Sequence, residues 1–83
     1  MNKKNIGIRL NTITDIIRFV RIVSTYNENI DMIKINTKYI VDAKSLLGVI
    51  SLDPTKYCKL IFSYTEEKRL EEFENDIREF VSN

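Results

Sequence analysis

Apolar and polar residues follow two different periods along the chain, and the switches between them mark out its elements. Ile6, Ile8 and Leu10 alternate with Asn5, Gly7 and Arg9, the period-two pattern of a strand with one buried face, predicting a first strand over residues 4–10. After the polar break Asn11-Thr12, the apolar positions Ile13, Ile16, Ile17, Val20 and Val23 recur at helical spacing opposite Asp15, Arg18 and Arg21, predicting a helix over 14–26. Asn27-Glu28-Asn29 closes it. A second strand is expected over 30–35, with Ile33 and Ile35 on one face, and a third where Tyr39, Val41 and Ala43 alternate. The turn between them, Asn36-Thr37-Lys38, has no glycine to fix its length.

The next block, Lys44-Ser45-Leu46-Leu47-Gly48-Val49-Ile50-Ser51-Leu52, is too apolar for a surface loop. Ser45 as N-cap opens a short helix that must close before Asp53-Pro54. A fourth strand over 56–63 puts Cys58, Leu60 and Phe62 on one face. A last helix carries Leu70, Phe73, Ile77 and Phe80 at helical spacing behind Thr65 as N-cap, with Glu66 and Glu67 in the first turn. The order β-α-β-β-α-β-α gives an α+β fold, a two-layer sandwich in which a four-stranded sheet is covered on one face by helices. The chain, residues 1–83, reads as a single domain without repeats or linkers.

Composition narrows the chemistry. With 43% hydrophobic and 30% charged residues and a formal net charge of +1, the chain is a foldable, soluble domain. It contains no histidine, which removes imidazole bases, histidine metal ligands and phosphohistidine. The lone cysteine, Cys58, has no activating partner and reads as a buried structural thiol in a reducing compartment. No signal-peptide core or membrane span is present, so a cytoplasmic location is expected. Phosphate loops and metal-ligand sets are also missing, so the reading is a non-enzyme without metal or cofactor.

The element order and the Lys44–Leu52 block together resemble the HPr family, the phosphocarrier proteins of the sugar phosphotransferase system. The likeness extends over nearly the whole chain in order and spacing, and the block is similar to the regulatory-serine segment of Gram-positive members. The family's active-site motif, Gly-x-His-x-Arg-Pro, follows the first strand. Here Thr12 stands at the histidine, Thr14 at the arginine and Asp15 at the proline. A phosphothreonine is a stable ester and cannot relay its group as a phosphoramidate does. The resemblance therefore points to a histidine-lacking member, similar to the catabolite-repression HPr-like protein, and implies that Ser45 is a phosphoacceptor for HPr kinase/phosphorylase. It further implies that the modified protein binds a transcriptional regulator in carbon catabolite repression.

A phosphate on Ser45 adds about −1.5 to −2 charge at a helix start, with Lys44 beside it. The partner surface implied by the resemblance takes in Thr12, Asp15, Arg18, Lys44, Leu46, Leu47 and Ile50. At least two of Leu46, Leu47 and Ile50 are expected in the core, and an exposed pair among them would mark a docking surface. Ser45 as a plain N-cap is the simpler structural role.

Two rival functions remain at this level. One is a phosphocarrier with a non-histidine acceptor, Asp15 as an acyl phosphate. The other is a small RNA-binding α+β module: basic residues outnumber acidic ones over residues 1–59, and Arg9, Arg18, Arg21 and Lys38 would form its patch. Against it, the basic residues are dispersed and no strand offers adjacent exposed aromatics for stacking. The acidic excess after residue 60 lies on the last helix, where Glu71, Glu72, Glu74 and Glu79 form a solvated face.

Overall fold

The computed structural model describes residues 1–82 and contains the expected elements in the expected order. They are β1 (Asn2–Ile8), α1 (Ile13–Val23), β2 (Ile30–Lys34), β3 (Ile40–Asp42), α2 (Leu46–Ser51), β4 (Cys58–Tyr64) and α3 (Glu67–Asp76), followed by a 3₁₀ turn at Arg78–Phe80. The sheet runs β1-β4-β2-β3, and every neighbouring pair is antiparallel. Because α1 separates β1 from β2, the chain leaves a gap in the sheet that β4 fills last. Lying between two strands, β4 has the most buried strand sequence, with Cys58, Leu60 and Phe62 facing the helices.

Register with β4 settles what alternation left ambiguous in β2. Ile30 pairs with Phe62 and Met32 with Leu60, so Ile30 and Met32 face the core. The expected face of Ile33 and Ile35 is only partly buried, because β2 is apolar at both parities and the pairing partner decides between them. The β2–β3 turn has Asn36 at φ 64°, a left-handed conformation that asparagine tolerates, and the Thr37 N–H donates to the Lys34 carbonyl.

The remaining differences fall at element ends. β1 starts at Asn2, since pairing continues to Asn2–Tyr64, and stops at Ile8. Beyond it, the Arg9 and Leu10 N–H groups donate to the carbonyls of Phe80 and Pro54. α1 buries Ile16, Phe19 and Val23, leaving Ile13 and Ile17 exposed although they share its apolar spacing. It ends three residues early, in tight i→i+3 bonds that turn Tyr26 inward.

Thr65 does not cap α3. The helix begins one residue later, with Glu66 extended at the cap position and making no side-chain cap bond. α3 also stops at Asp76 instead of running to Phe80. The 3₁₀ turn after it tightens the chain and buries Phe80, and the tail returns to β1, where Val81 bridges Ile8 and the Ser82 N–H donates to the Gly7 carbonyl. This covers one end of an otherwise open sheet edge.

The core lies between the sheet and the helices and is densest at its aromatic end. Phe62 and Phe73 stack with ring centroids 4.2 Å apart, and Tyr26 meets both edge-on at 6.0 and 5.2 Å. At the opposite end of β4, Cys58 is buried as an unpaired thiol, and burial pushes its pKa up, away from thiolate chemistry.

Candidate functional site

Thr12 is the N-cap of α1. Its backbone is extended and its hydroxyl accepts a hydrogen bond from the Asp15 N–H at 3.1 Å. The position that the family resemblance gives to a nucleophilic imidazole is thus held by an exposed hydroxyl occupied in capping. The Asp15 carboxylate lies 3.6 Å from the Arg18 guanidinium. Arg18 in turn pairs with Glu79 and lies over the Phe80 ring, 5.5 Å from its centroid. Two carboxylates therefore compensate Arg18, and Glu79 is a paired residue instead of part of a purely solvated face.

Arg9 and Lys38 do not share a patch. Arg9 follows β1 and Lys38 precedes β3, the two outermost strands, so the breadth of the sheet separates them.

Ser45 caps α2 as expected, its Oγ accepting from the Gly48 N–H at 3.1 Å. Gly48 sits close under this cap: a Cβ there would lie 3.2 Å from both the Ser45 Oγ and the Val41 Cβ. The Lys44 N–H donates to the Asp42 carboxylate at 2.9 Å, which fixes the approach to the helix. At the other end of α2 the Ser51 hydroxyl donates to the Gly48 carbonyl at 2.6 Å and lies 3.2 Å from the Tyr39 hydroxyl. Nothing in the local sequence signals the Tyr39–Ser51 contact, which depends on β3 passing beside α2.

The expectation that Leu46, Leu47 and Ile50 supply core residues is overturned. All three are exposed, at 39%, 80% and 42%, while Val49 and Leu52 are fully buried in their place. A six-residue helix presents only one narrow stripe inward, and Val49 of α2 with Leu52 just after its end occupies it. α2 packs against α1, whose Ile13 and Ile17 are also exposed. Single exposed aliphatic residues are ordinary, but here five are exposed on two helices in contact.

The opposite end of the molecule has polar chemistry that sequence reading missed. The Tyr26 hydroxyl donates to Asp76 at 2.5 Å. Arg69 holds Glu28 with two bonds, 2.7 and 3.0 Å, reaches Glu72 at 2.9 Å, and lies over the Tyr26 ring at 4.8 Å. The hydrogen bonds from Arg69 hold the Glu28 carboxyl below its usual range. A cleft of about 260 Å³ beside this network is lined by Met1, Asn27, Glu28, Asn29, Ser63, Tyr64 and Thr65, and does not involve Thr12 or Ser45. Among the described residues, no buried side-chain polar atom lacks a partner and no group of carboxylates and thiols is placed to hold a metal ion. No helix among them is long and apolar enough to cross a membrane.

No protein-family model matches the chain, and no curated protein matches it in sequence. Its structure is similar to the crystal structure of HPr-C-His from Thermoanaerobacter tengcongensis, with a TM-score of 0.68 and 26% sequence identity over 93% of this chain and 90% of that chain. The fold is HPr-like. Within this HPr-like frame α1 and the short helix α2 are in contact, so Asp15 and Arg18 of α1 and its cap Thr12 belong to an element that neighbours the one carrying Ser45, Leu46, Leu47 and Ile50.

Proposed function

We propose that this chain is an HPr-like regulatory protein of the phosphotransferase-system type, acting as one domain that binds other proteins and is switched by phosphate on Ser45. The observation that carries the proposal is the aliphatic set Leu46, Leu47 and Ile50, exposed with Ser45 on a helix in contact with α1, where Ile13 and Ile17 are exposed too. Fully burying an exposed aliphatic side chain contributes about 1.5–3 kcal/mol, and the half-covered members of this set correspondingly less, so a partner covering all of them gains several kcal/mol toward the cost of association. The similarity to HPr supports the same reading. Thr12 at the place of the carrier histidine argues against relay. A cytoplasmic setting fits the partners, a kinase of the HPr kinase/phosphorylase type and a transcriptional regulator.

Phosphate at Ser45 would set about −1.5 to −2 charge against Leu46 and Leu47. It disfavours a partner that presents only apolar surface and favours one that adds arginine. One surface thereby discriminates two partner states without refolding.

The test is incubation with HPr kinase/phosphorylase and ATP, followed by intact-mass measurement. One added phosphate is expected on the wild type and none on Ser45→Ala. Because Ser45 is also a cap, the variant loses about 1 kcal/mol of stability, and its thermal unfolding should be followed in parallel. An unmodified wild type overturns the switch. Label from phosphoenolpyruvate and the general phosphotransferase enzyme, sensitive to hydroxylamine and lost in Asp15→Asn, would move the reading to a carrier.

A further inference from the structure

The sheet face turned away from the helices is bare, and its residues are arranged in a way that no partner of one sign or of purely apolar character would match. From the pairing registers, one row across this face is Gly7, Lys59, Ile33 and Ile40, and the next is Asn5, Ile61, Asp31 and Asp42. The Tyr57 ring lies where a side chain on Gly7 would stand, so that end of the first row is aromatic. Ile40 is 55% exposed and Ile33 and Ile61 are only partly buried.

The charges divide by strand. Asp31 and Asp42 are direct cross-strand partners on β2 and β3, a like-charge pair that destabilises a sheet unless something compensates it. Lys59 and Lys3 lie on the β4 and β1 half of the same face. Among the described residues none of the four has an ion-pair partner within 4.0 Å.

The geometry points to a second copy of this chain as the occupant, packed sheet to sheet about a two-fold axis parallel to the strands. Such an axis lays β1 of one copy over β3 of the other and β4 over β2. Lys59 then lies one row from the second copy's Asp31, and Lys3 one row from its Asp42, each within reach of a long side chain across a spacing of about 10 Å. Ile40 meets the Tyr57 ring of the second copy. Each contact is made twice, so the acidic pair of each chain is compensated by the other chain. A lysine-rich peptide would satisfy the two aspartates but would meet Lys3 and Lys59 with like charge.

Four strands at about 4.8 Å and six or seven residues at about 3.3 Å make a patch of roughly 400 Å² per copy. That is small for a specific interface, so the dimer is weak and concentration-dependent. It forms on the face opposite the α1 and α2 surface and does not depend on the function proposed for that surface.

Sedimentation equilibrium on the full chain tests it. The apparent mass should rise from 9.8 kDa toward twice that value as concentration increases from micromolar to millimolar, and less so at high salt. Asp31→Lys and Lys59→Asp should each weaken association at least tenfold when alone. An equimolar mixture of the two should associate more tightly than either, because both cross-copy pairs are then of opposite sign. The proposal fails if the wild type stays at 9.8 kDa throughout, or if the mixture is no tighter than its components. Dimerisation that survives both substitutions but is lost in Leu47→Asp would place the contact on the helices and overturn it as well.

Discussion

The two ends of the helical layer use their polar groups in opposite ways. Around Tyr26, Glu28, Arg69 and Asp76, hydrogen bonds join residues far apart in sequence and tie the segment after α1 to α3, over a stack of Phe62, Phe73 and Tyr26. Around Thr12 and Ser45, the hydroxyl bonds close single helical turns, Thr12 with Asp15, Ser45 with Gly48 and Ser51 with Gly48. The first end turns its apolar rings inward, whereas the second leaves Ile13, Ile17, Leu46, Leu47 and Ile50 to solvent. The second end is also tied by Arg18 to Glu79 and by the contact between Ser51 and Tyr39, yet it keeps those apolar side chains exposed.

The comparison breaks most sharply at the aromatic stack. Phe73 is fully buried, 4.2 Å from Phe62 in stacked geometry and 5.2 Å from Tyr26 edge-on, so Phe73→Ala leaves a cavity that its rigid neighbours cannot fill. The expected loss is about 3–5 kcal/mol, measured by denaturant unfolding, which is a large part of the total stability of a domain this small. A loss under about 1 kcal/mol would show that the core does not depend on this end.

The polar tie above the stack is sharpened by pH. The Glu28 carboxyl titrates below its ordinary value of 4.5 because Arg69 hydrogen-bonds its charged form, outweighing the opposing effect of burial. A carboxyl with a depressed folded pKa contributes stability above pH 4.5 that disappears as pH falls through the folded value. Arg69→Met should therefore lower stability at neutral pH and flatten the fall in stability below pH 4.5, read from unfolding midpoints between pH 6 and pH 2. At the alkaline end, burial of Tyr26, and secondarily its bond to Asp76, raises the phenol above its ordinary 10.0. A raised pKa means that this contribution is complete below pH 10 and lost above it, so Tyr26→Phe should remove that alkaline loss. Variants whose acid and alkaline limbs match the wild type would show that the network does not tie the segment after α1 to α3.

Local signals made one end legible in the sequence and left the other dark. Ser45 as the cap of a short helix before Asp53-Pro54 depends on chemistry within a few residues and is legible from them. So is the inward face of β4, whose alternation of Cys58, Leu60 and Phe62 has no competitor. The Arg69–Glu28 and Tyr26–Asp76 ties span 41 and 50 positions and have no local signature, so only the assembled sheet could bring them together. β2 and α2 failed for a third reason: each offers more apolar residues than its inward stripe can take, and the pattern alone cannot say which are left out. The pattern therefore points Ile33 and at least two of Leu46, Leu47 and Ile50 inward, whereas the partner strand leaves Ile33 only partly buried and the short helix leaves all three of the others exposed.

That surplus is the ground for the smallest expected effect. Leu47 is 80% exposed, so Leu47→Ser removes little buried area and leaves the Ser45 and Ser51 bonds to Gly48 in place. Its stability should stay within about 0.5 kcal/mol of the wild type in denaturant unfolding, as for surface substitutions away from structural features. If the exposed set is a docking surface, the same variant should lose most of its affinity for a protein partner, since a central aliphatic anchor can dominate an interface while contributing nothing to the free fold. A change in stability with no change in binding would assign Leu47 to the fold and remove the contrast between the two ends. A change in binding with no change in stability is the signature of a residue kept outward for a partner.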